Sequence, residues 1–252
     1  MILLVNDDGI DAPGLRALYR ALRERTGQPV LAVAPDQERS GQSQAITLDR
    51  ALLVTSRLEP GFFGFAVDGT PTDCVKLALT RLCPEPPELV VSGINRGPNV
   101  GRSIHYSGTL GAALEAAVEG YSALAVSQDK GAEHPDDAAD LAAGWAVRLL
   151  SQARSGGRFR SLVVNLNCPA TPATAWLPLR SARHGRSGFR ESYRSLRTPG
   201  GHGWKLVGDW AAEPSSDADA DDAALLSAGH PVVSLLHPDL NHDGALLAEV
   251  MP

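Results

Sequence analysis

Apolar and polar residues along this chain fall into blocks, and the blocks alternate in character. "ILLV" (2–5) is a short continuous apolar run, as expected of a strand buried on both faces. Leu15, Leu18, Tyr19 and Leu22 then recur at helical spacing, and Gly27 can end that helix. "PVLAVAP" (29–35) reads as a second buried strand. This β-α-β opening predicts a parallel sheet with a right-handed crossover. Residues 36–45 form a polar loop, and the runs "AITL", "LLVTS" and "FFGFAVDG" that follow predict a hairpin beside the sheet. Thr70-Pro71-Thr72-Asp73 marks a helix start: Thr70 suits the cap, Pro71 the first helical position, Asp73 the positive helix end.

The rhythm continues. "ELVVSGIN" (88–95) is a strand that runs out into polar residues, and a Gly/Asn loop spans 95–107. A helix over 109–119, capped by Gly120, precedes a strand at 123–127, a helix from Pro135 to Arg154 and a strand at 162–168. Repeated βα units predict an α/β fold with a doubly wound, Rossmann-like, mostly parallel sheet. The rhythm stops after Cys168. Residues 169–222 are rich in Pro, Gly, Arg, Ser and Asp, and "PVVSLLH" (231–237) predicts one more strand. A loop of some 50 residues without structure of its own is improbable in a compact domain. The chain therefore divides into a core at 1–168 and a tail at 169–252. We expect the tail to form an extended arm or hairpin packed on another subunit, not an independent domain; the alternative is a surface excursion. The acidic run "DADADD" (217–222) is expected in a solvated turn.

The chain has 252 residues, 43% of them hydrophobic and 21% charged, with a net charge of −6. These values fit a soluble globular protein and show no basic stripe for a nucleic-acid polymer. The three cysteines, Cys74, Cys83 and Cys168, include no Cys-x-x-Cys pair, which speaks against a disulfide framework or a zinc site. Five apolar residues at the N-terminus, without a basic leader, do not resemble a signal peptide, and no apolar run is long enough for a membrane span. A cytoplasmic location is expected.

In an open α/β sheet, ligands bind beyond the carboxyl ends of the strands. Asn6, Asp7 and Asp8 follow the first strand, Asp36 to Ser43 the second, and Ser92 to Asn95 end a later one. Adjacent acids repel unless something positive lies between them. Oxygen-bearing neighbours, without a His or Cys ligand set, favour magnesium, manganese or calcium over zinc. The alternative is that Asp7 caps a helix while Asp8 is solvated in a turn. In "YSGTLGAALEAA" (106–117), Ser107 and Thr109 open a helix whose free N–H groups can hold an anion, or simply cap it. Ser40-Gly41 is a further plausible contacting turn, or an ordinary solvent loop. His105 alone among the seven histidines lies beside these clusters. No Gly-x-Ser-x-Gly elbow or Gly-x-Gly-x-x-Gly fingerprint occurs, and the adjacent acids do not match the Asp-x-Asp of haloacid-dehalogenase phosphatases.

Taken together, "NDDGIDAPG", "APDQERSGQSQAIT", "DGTPTDCV", "SGINRGPNVG" and "YSGTLGAALEAA" resemble the survival protein E family of stationary-phase 5′/3′-nucleotidases, in that family's order, almost continuously over 1–127. The chain departs at "VVSLLHPDL", where the family usually has a stretch like Val-Ser-Ile-Thr-Pro-Leu. The resemblance implies a phosphomonoesterase that hydrolyses nucleoside 5′- and 3′-monophosphates with a divalent cation, magnesium or manganese. It also implies a homodimer or homotetramer built by exchange of C-terminal elements. It assigns the metal to Asp7, Asp8, Ser40 and Asn95, catalysis to Asp7 and Asp8, and phosphate to Ser107, Gly108 and Thr109, with Gly9 and Asn99 as neighbours. Two other readings remain: a nucleotide-binding regulatory module without catalysis, and a glycosyl- or phosphotransferase.

Overall fold

The structure is a computed structural model that describes residues 1–133, 135–155, 161–211 and 221–241. Six strands form its parallel centre: β1 (Ile2–Val5), β2 (Val30–Pro35), β4 (Phe62–Val67), β5 (Leu89–Arg96), β6 (Ala123–Gln128) and β7 (Val163–Cys168). They lie in the order β4-β2-β1-β5-β6-β7, which by chain sequence is 3-2-1-4-5-6, the order of a doubly wound dinucleotide-type sheet. On one side β3 (Val54–Glu59) closes a hairpin onto β4. On the other, β11 (Val232–Leu236) adds antiparallel to β7, and the short β8 (Arg180–Ser181) lies beyond it.

The continuous apolar runs predicted this placement, because a central strand buries both faces. In β1, Ile2 and Leu4 belong to the apolar layer under helices α1 (Pro13–Thr26) and α4 (Asp136–Arg154). Leu3 and Val5 belong to the layer under α2 (Pro71–Leu77) and α3 (Gly108–Val118). All four side chains are fully buried. At about 25 cal/mol per Å² of apolar surface, such burial is the main favourable term that positions the strand ends.

Local signals set the helix boundaries. Pro13 opens α1, where its missing N–H has no partner to lose, and Gly27 ends it in the left-handed conformation, its N–H bonded to Arg23 O. At α2, the Thr70 hydroxyl accepts from Asp73 N and the Asp73 carboxylate accepts from Thr70 N, a reciprocal capping box. A five-residue π-helical turn, Ala78–Leu82, extends α2, and a 3-10 turn, Gly101–His105, lies in the Gly/Asn loop. Neither was expected. Of the three β-like runs in 46–69, only the later two become the hairpin; residues around Ile46 and Leu48 lack strand pairing.

The expected arm takes shape as β9 (Gly188–Thr198) and β10 (Gly201–Ala211), an antiparallel ribbon apart from the main sheet. It carries exposed Phe189, Tyr193, Leu196, Trp204 and Leu206. One expectation is corrected. Residues 217–220 of the acidic run lie outside the described residues, but Asp221 and Asp222 are buried rather than solvated. Asp221 caps helix α5 (Asp222–Ser227) through Ala223 N and Ala224 N.

Candidate active site

In this strand order the two halves of the sheet diverge between β1 and β5. The crevice at their carboxyl ends is where such folds bind ligands. Asp7 and Asp8 follow β1, and Asn95 sits near the end of β5. Asp8 accepts a hydrogen bond from Arg96 N (3.3 Å) across this divide. The turn after β1 is clamped by Asn6, whose amide donates to Gly9 O (2.9 Å) and accepts from Gly9 N (3.1 Å). Gly9 has φ of +104°, which a side chain rarely adopts.

Two further segments converge on Asp7. Its carbonyl accepts from Arg39 N (2.7 Å), which brings the loop after β2, with Ser40, to the acids. Its carboxylate accepts from the Thr109 hydroxyl (2.5 Å), which docks the first turn of α3. Gly108 passes so close that an added Cβ would lie 2.9 Å from Asp7 Cβ and 3.1 Å from Asp7 Oδ2. The loop carrying Ser40 is tied to the same place, since Ser43 donates to Tyr106 O (3.1 Å) and His105 O (2.8 Å).

Burial pushes both carboxyls upward. Asp7 is raised chiefly by desolvation, with hydrogen bonds from Thr109 opposing the shift. Asp8 is raised to about 6, first by desolvation and then by the charge of Asp7. Neither has an ion-pair partner among the described residues. Glu38, which the motif reading overlooked, adds negative charge near both. Its carboxylate accepts from the Ser40 hydroxyl (2.8 Å). An acid two positions before a candidate ligand was the available signal.

The other predicted residues divide by what they touch. The Asn95 amide nitrogen donates to Gly97 O (2.7 Å), which leaves its oxygen as an acceptor. Ser107 accepts from Leu110 N (3.1 Å), so it is the cap of α3, and its own O–H proton remains to donate. Thr109, expected at a phosphate, donates its hydroxyl to Asp7. Asn99 is deeply buried: its amide nitrogen donates to Ser127 Oγ (2.8 Å), and its backbone is held by Asn165 and Asn167. His105 contributes its carbonyl to the Ser43 contact.

The donor set is two carboxylates with amide and hydroxyl oxygens, without a cluster of three His, Cys, Asp or Glu ligands among the described residues. Two adjacent acids of raised pKa, one buried and one partly buried, without an ion-pair partner among the described residues, suit a hard divalent cation, which removes their repulsion. The residues present fit such an ion.

Fold and site together define a Rossmann-like α/β protein with an acidic, oxygen-donor centre at the switch point of its parallel sheet. A sequence profile described as "Survival protein SurE" matches residues 2–191. The chain is 42% identical over 249 residues to "5′-nucleotidase SurE" of Maridesulfovibrio salexigens, covering 97% of this chain and 96% of the relative. It is 44% identical over 246 residues to "5′-nucleotidase SurE" of Nitratidesulfovibrio vulgaris strain DP4, with 97% and 96% covered. A structure titled "Crystal Structure of Sure Protein from Aquifex aeolicus" superposes with a TM-score of 0.79 at 29% identity, over 99% of this chain and 96% of that one. This chain belongs to the SurE family.

Proposed function

We propose that this protein is a 5′-nucleotidase that hydrolyses nucleoside 5′-monophosphates, and 3′-monophosphates, to nucleoside and phosphate with a divalent cation, magnesium or manganese. The observation that supports the reading most is the pair Asp7–Asp8 at the sheet's switch point, without an ionic partner among the described residues, Asp7 buried and bonded to the first turn of α3 and Asp8 partly buried. The curated relatives carry the name of that activity.

Asp7, Asp8, Ser40 and Asn95 would hold the cation. When bound, the ion supplies positive charge to a phosphoryl oxygen as a Lewis acid. The rest falls to the chain. Asp8, whose carboxyl burial and the Asp7 charge lift to about 6 in the absence of an ion, is the carboxylate that would take a proton from the attacking water. Asp7 is held in one orientation by Thr109 and by the close approach of Gly108. The Ser107 hydroxyl and the N–H groups of Gly108 and neighbouring residues at the start of α3, with Gly9 and Asn99 close by, receive the phosphoryl oxygens and the charge that develops on them.

The core at 1–168 carries the chemistry in this reading, and the tail at 169–252 contacts a second copy through the β9–β10 ribbon, giving a homodimer or homotetramer. The exposed aromatic and aliphatic side chains of the ribbon support that role. Among the described residues, no helix is long and apolar enough to cross a membrane.

The test is a phosphate-release screen of nucleoside monophosphates with magnesium or manganese, with and without EDTA. Release that stops in EDTA is expected; full activity in EDTA overturns the cation, and no release with any mononucleotide overturns the nucleotidase. Light scattering in solution checks the oligomer.

A further inference from the structure

The mechanism leaves unused a buried acid in the tail. Asp222 has no exposed surface, yet its carboxylate is saturated with donors. Oδ1 accepts from Gly185 N (3.0 Å) and Ala223 N (2.9 Å), and Oδ2 meets His184 Nδ1 at 2.7 Å. Gly101 N donates to both oxygens, at 3.2 and 3.0 Å. A carboxylate is tolerated in such a place only when hydrogen-bonded in this way.

Gly101 belongs to the loop that runs from Asn95 to Ser107, and so between the candidate metal and phosphate residues. Contacts from the tail accumulate on this loop. Arg102 N donates to Ser187 O (2.8 Å), and a Cβ at Gly101 would lie 2.1 Å from that same oxygen. Val100 packs in an apolar cluster with Ala223, Leu225, Leu226 and Val232. One residue earlier, Asn99 O accepts from Asn165 Nδ2 (2.9 Å) and Asn99 N donates to Asn167 Oδ1 (2.7 Å). Ser234, which meets His184 Nε2 at 3.2 Å, stands opposite Asn165 in the sheet. The loop is therefore gripped at Asn99 by β7 and at Gly101 by Asp222.

The order Asp222–His184–Ser234 is that of a hydrolytic triad. Ser234 is only 7% exposed within a paired strand, and Asp222 spends its acceptors on three backbone amides, so the chain is built for holding rather than attack.

We propose that Asp222, oriented by His184, is a positioning residue that fixes the Asn95–Ser107 loop through Gly101 N and so sets the geometry of the phosphate-binding residues. The kinetic part rests on the nucleotidase reading; the structural part does not.

The experiment uses the full chain carrying Asp222→Asn, which keeps the volume and one acceptor oxygen but removes the charge and the second acceptor. Amide hydrogen exchange over residues 99–105 is expected to quicken while the β1 and β2 amides stay protected. KM for a nucleoside monophosphate is expected to rise about tenfold, the size of one charge-assisted hydrogen bond. Weakened ground-state binding should leave kcat within about twofold. If Asp222→Asn does not fold, His184→Asn leaves the carboxylate and its amide donors in place, and should shift exchange and KM in the same direction by less. A folded variant with a lowered Tm but unchanged loop exchange and KM overturns the proposal, as does a fall in kcat at constant KM. Exchange requires no turnover, so a wild-type protein that releases no phosphate sinks the functional reading and leaves the anchor to be judged on exchange alone.

Discussion

The Thr109 hydroxyl donates to the Asp7 carboxylate at 2.5 Å, joining residues 102 positions apart in sequence. One hydrogen bond thus locks the first turn of α3 onto the end of β1. In the proposed function, a phosphate at that helix start would lie beside Asp7. Thr109→Val keeps the shape and removes the donor, which leaves a buried carboxylate short of a partner. The expected cost is about 1–3 kcal/mol of stability, read by urea unfolding, together with a lowered kcat. Thr109→Ser should restore both, and a Thr109→Val protein as stable and active as wild type would show the bond to be idle.

Asp8→Asn removes a charge beside Asp7 and the group proposed to take the proton from water. Phosphate release is expected to fall at least about 100-fold, with the circular dichroism spectrum unchanged. Turnover close to wild type would remove Asp8 from the chemistry.

The raised pKa of Asp8 also makes a stability statement. Its folded value of about 6 lies above the ordinary 3.8, so the folded state binds the proton more tightly than the unfolded chain. That stabilising contribution is complete below about pH 4 and disappears as pH rises through about 6. In EDTA, Asp8→Asn should therefore melt above wild type at about pH 8 and close to it at about pH 4. With saturating magnesium the order at the higher pH should reverse, because the ion binds only the folded wild-type site tightly. Differential scanning fluorimetry across pH reads both effects; identical curves for the two proteins would contradict the burial argument.

Gly108→Ala tests the close approach. Alanine suits a helix start, so propensity alone should not destabilise the protein. The new methyl, however, would meet Asp7 Cβ at 2.9 Å and must push the carboxylate aside. Weakened magnesium or manganese affinity by calorimetry, with a phosphate-release rate down about tenfold or more, is the expected result. Unchanged affinity and rate would mean that Asp7 has room to move.

Much of the frame was legible from local pattern. The run Ile2–Val5 announces a central strand because both of its faces are apolar, and Gly27, Thr70 and Ser107 mark helix ends through their own short-range chemistry. The motif residues Asp7, Asp8, Ser40, Asn95 and Ser107 were visible as polar residues at strand ends and helix starts. Asn6 was placed at the strand end without a role, although an Asn three positions before a glycine is itself a turn signal, and Glu38 was passed over. The Asp221–Asp222 pair was misjudged. Acidic runs are usually solvated, and composition alone does not show that backbone amides from Gly101 and Gly185 come to meet Asp222.

By itself, then, the sequence determined the order of strands and helices, and with it the sheet edge on which the polar residues gather. Hydrophobic periodicity and capping act within a few residues, so they can be read in one dimension. Only the tertiary structure decided the partners: Thr109 for Asp7, Arg96 N for Asp8, Gly101 for Asp222. A hydrogen bond between distant residues depends on where two buried strands and their loops finally pack, and burial is also what lifts the Asp8 pKa to about 6. The acids were written in the chain; their environment, and so their chemistry, came from the fold.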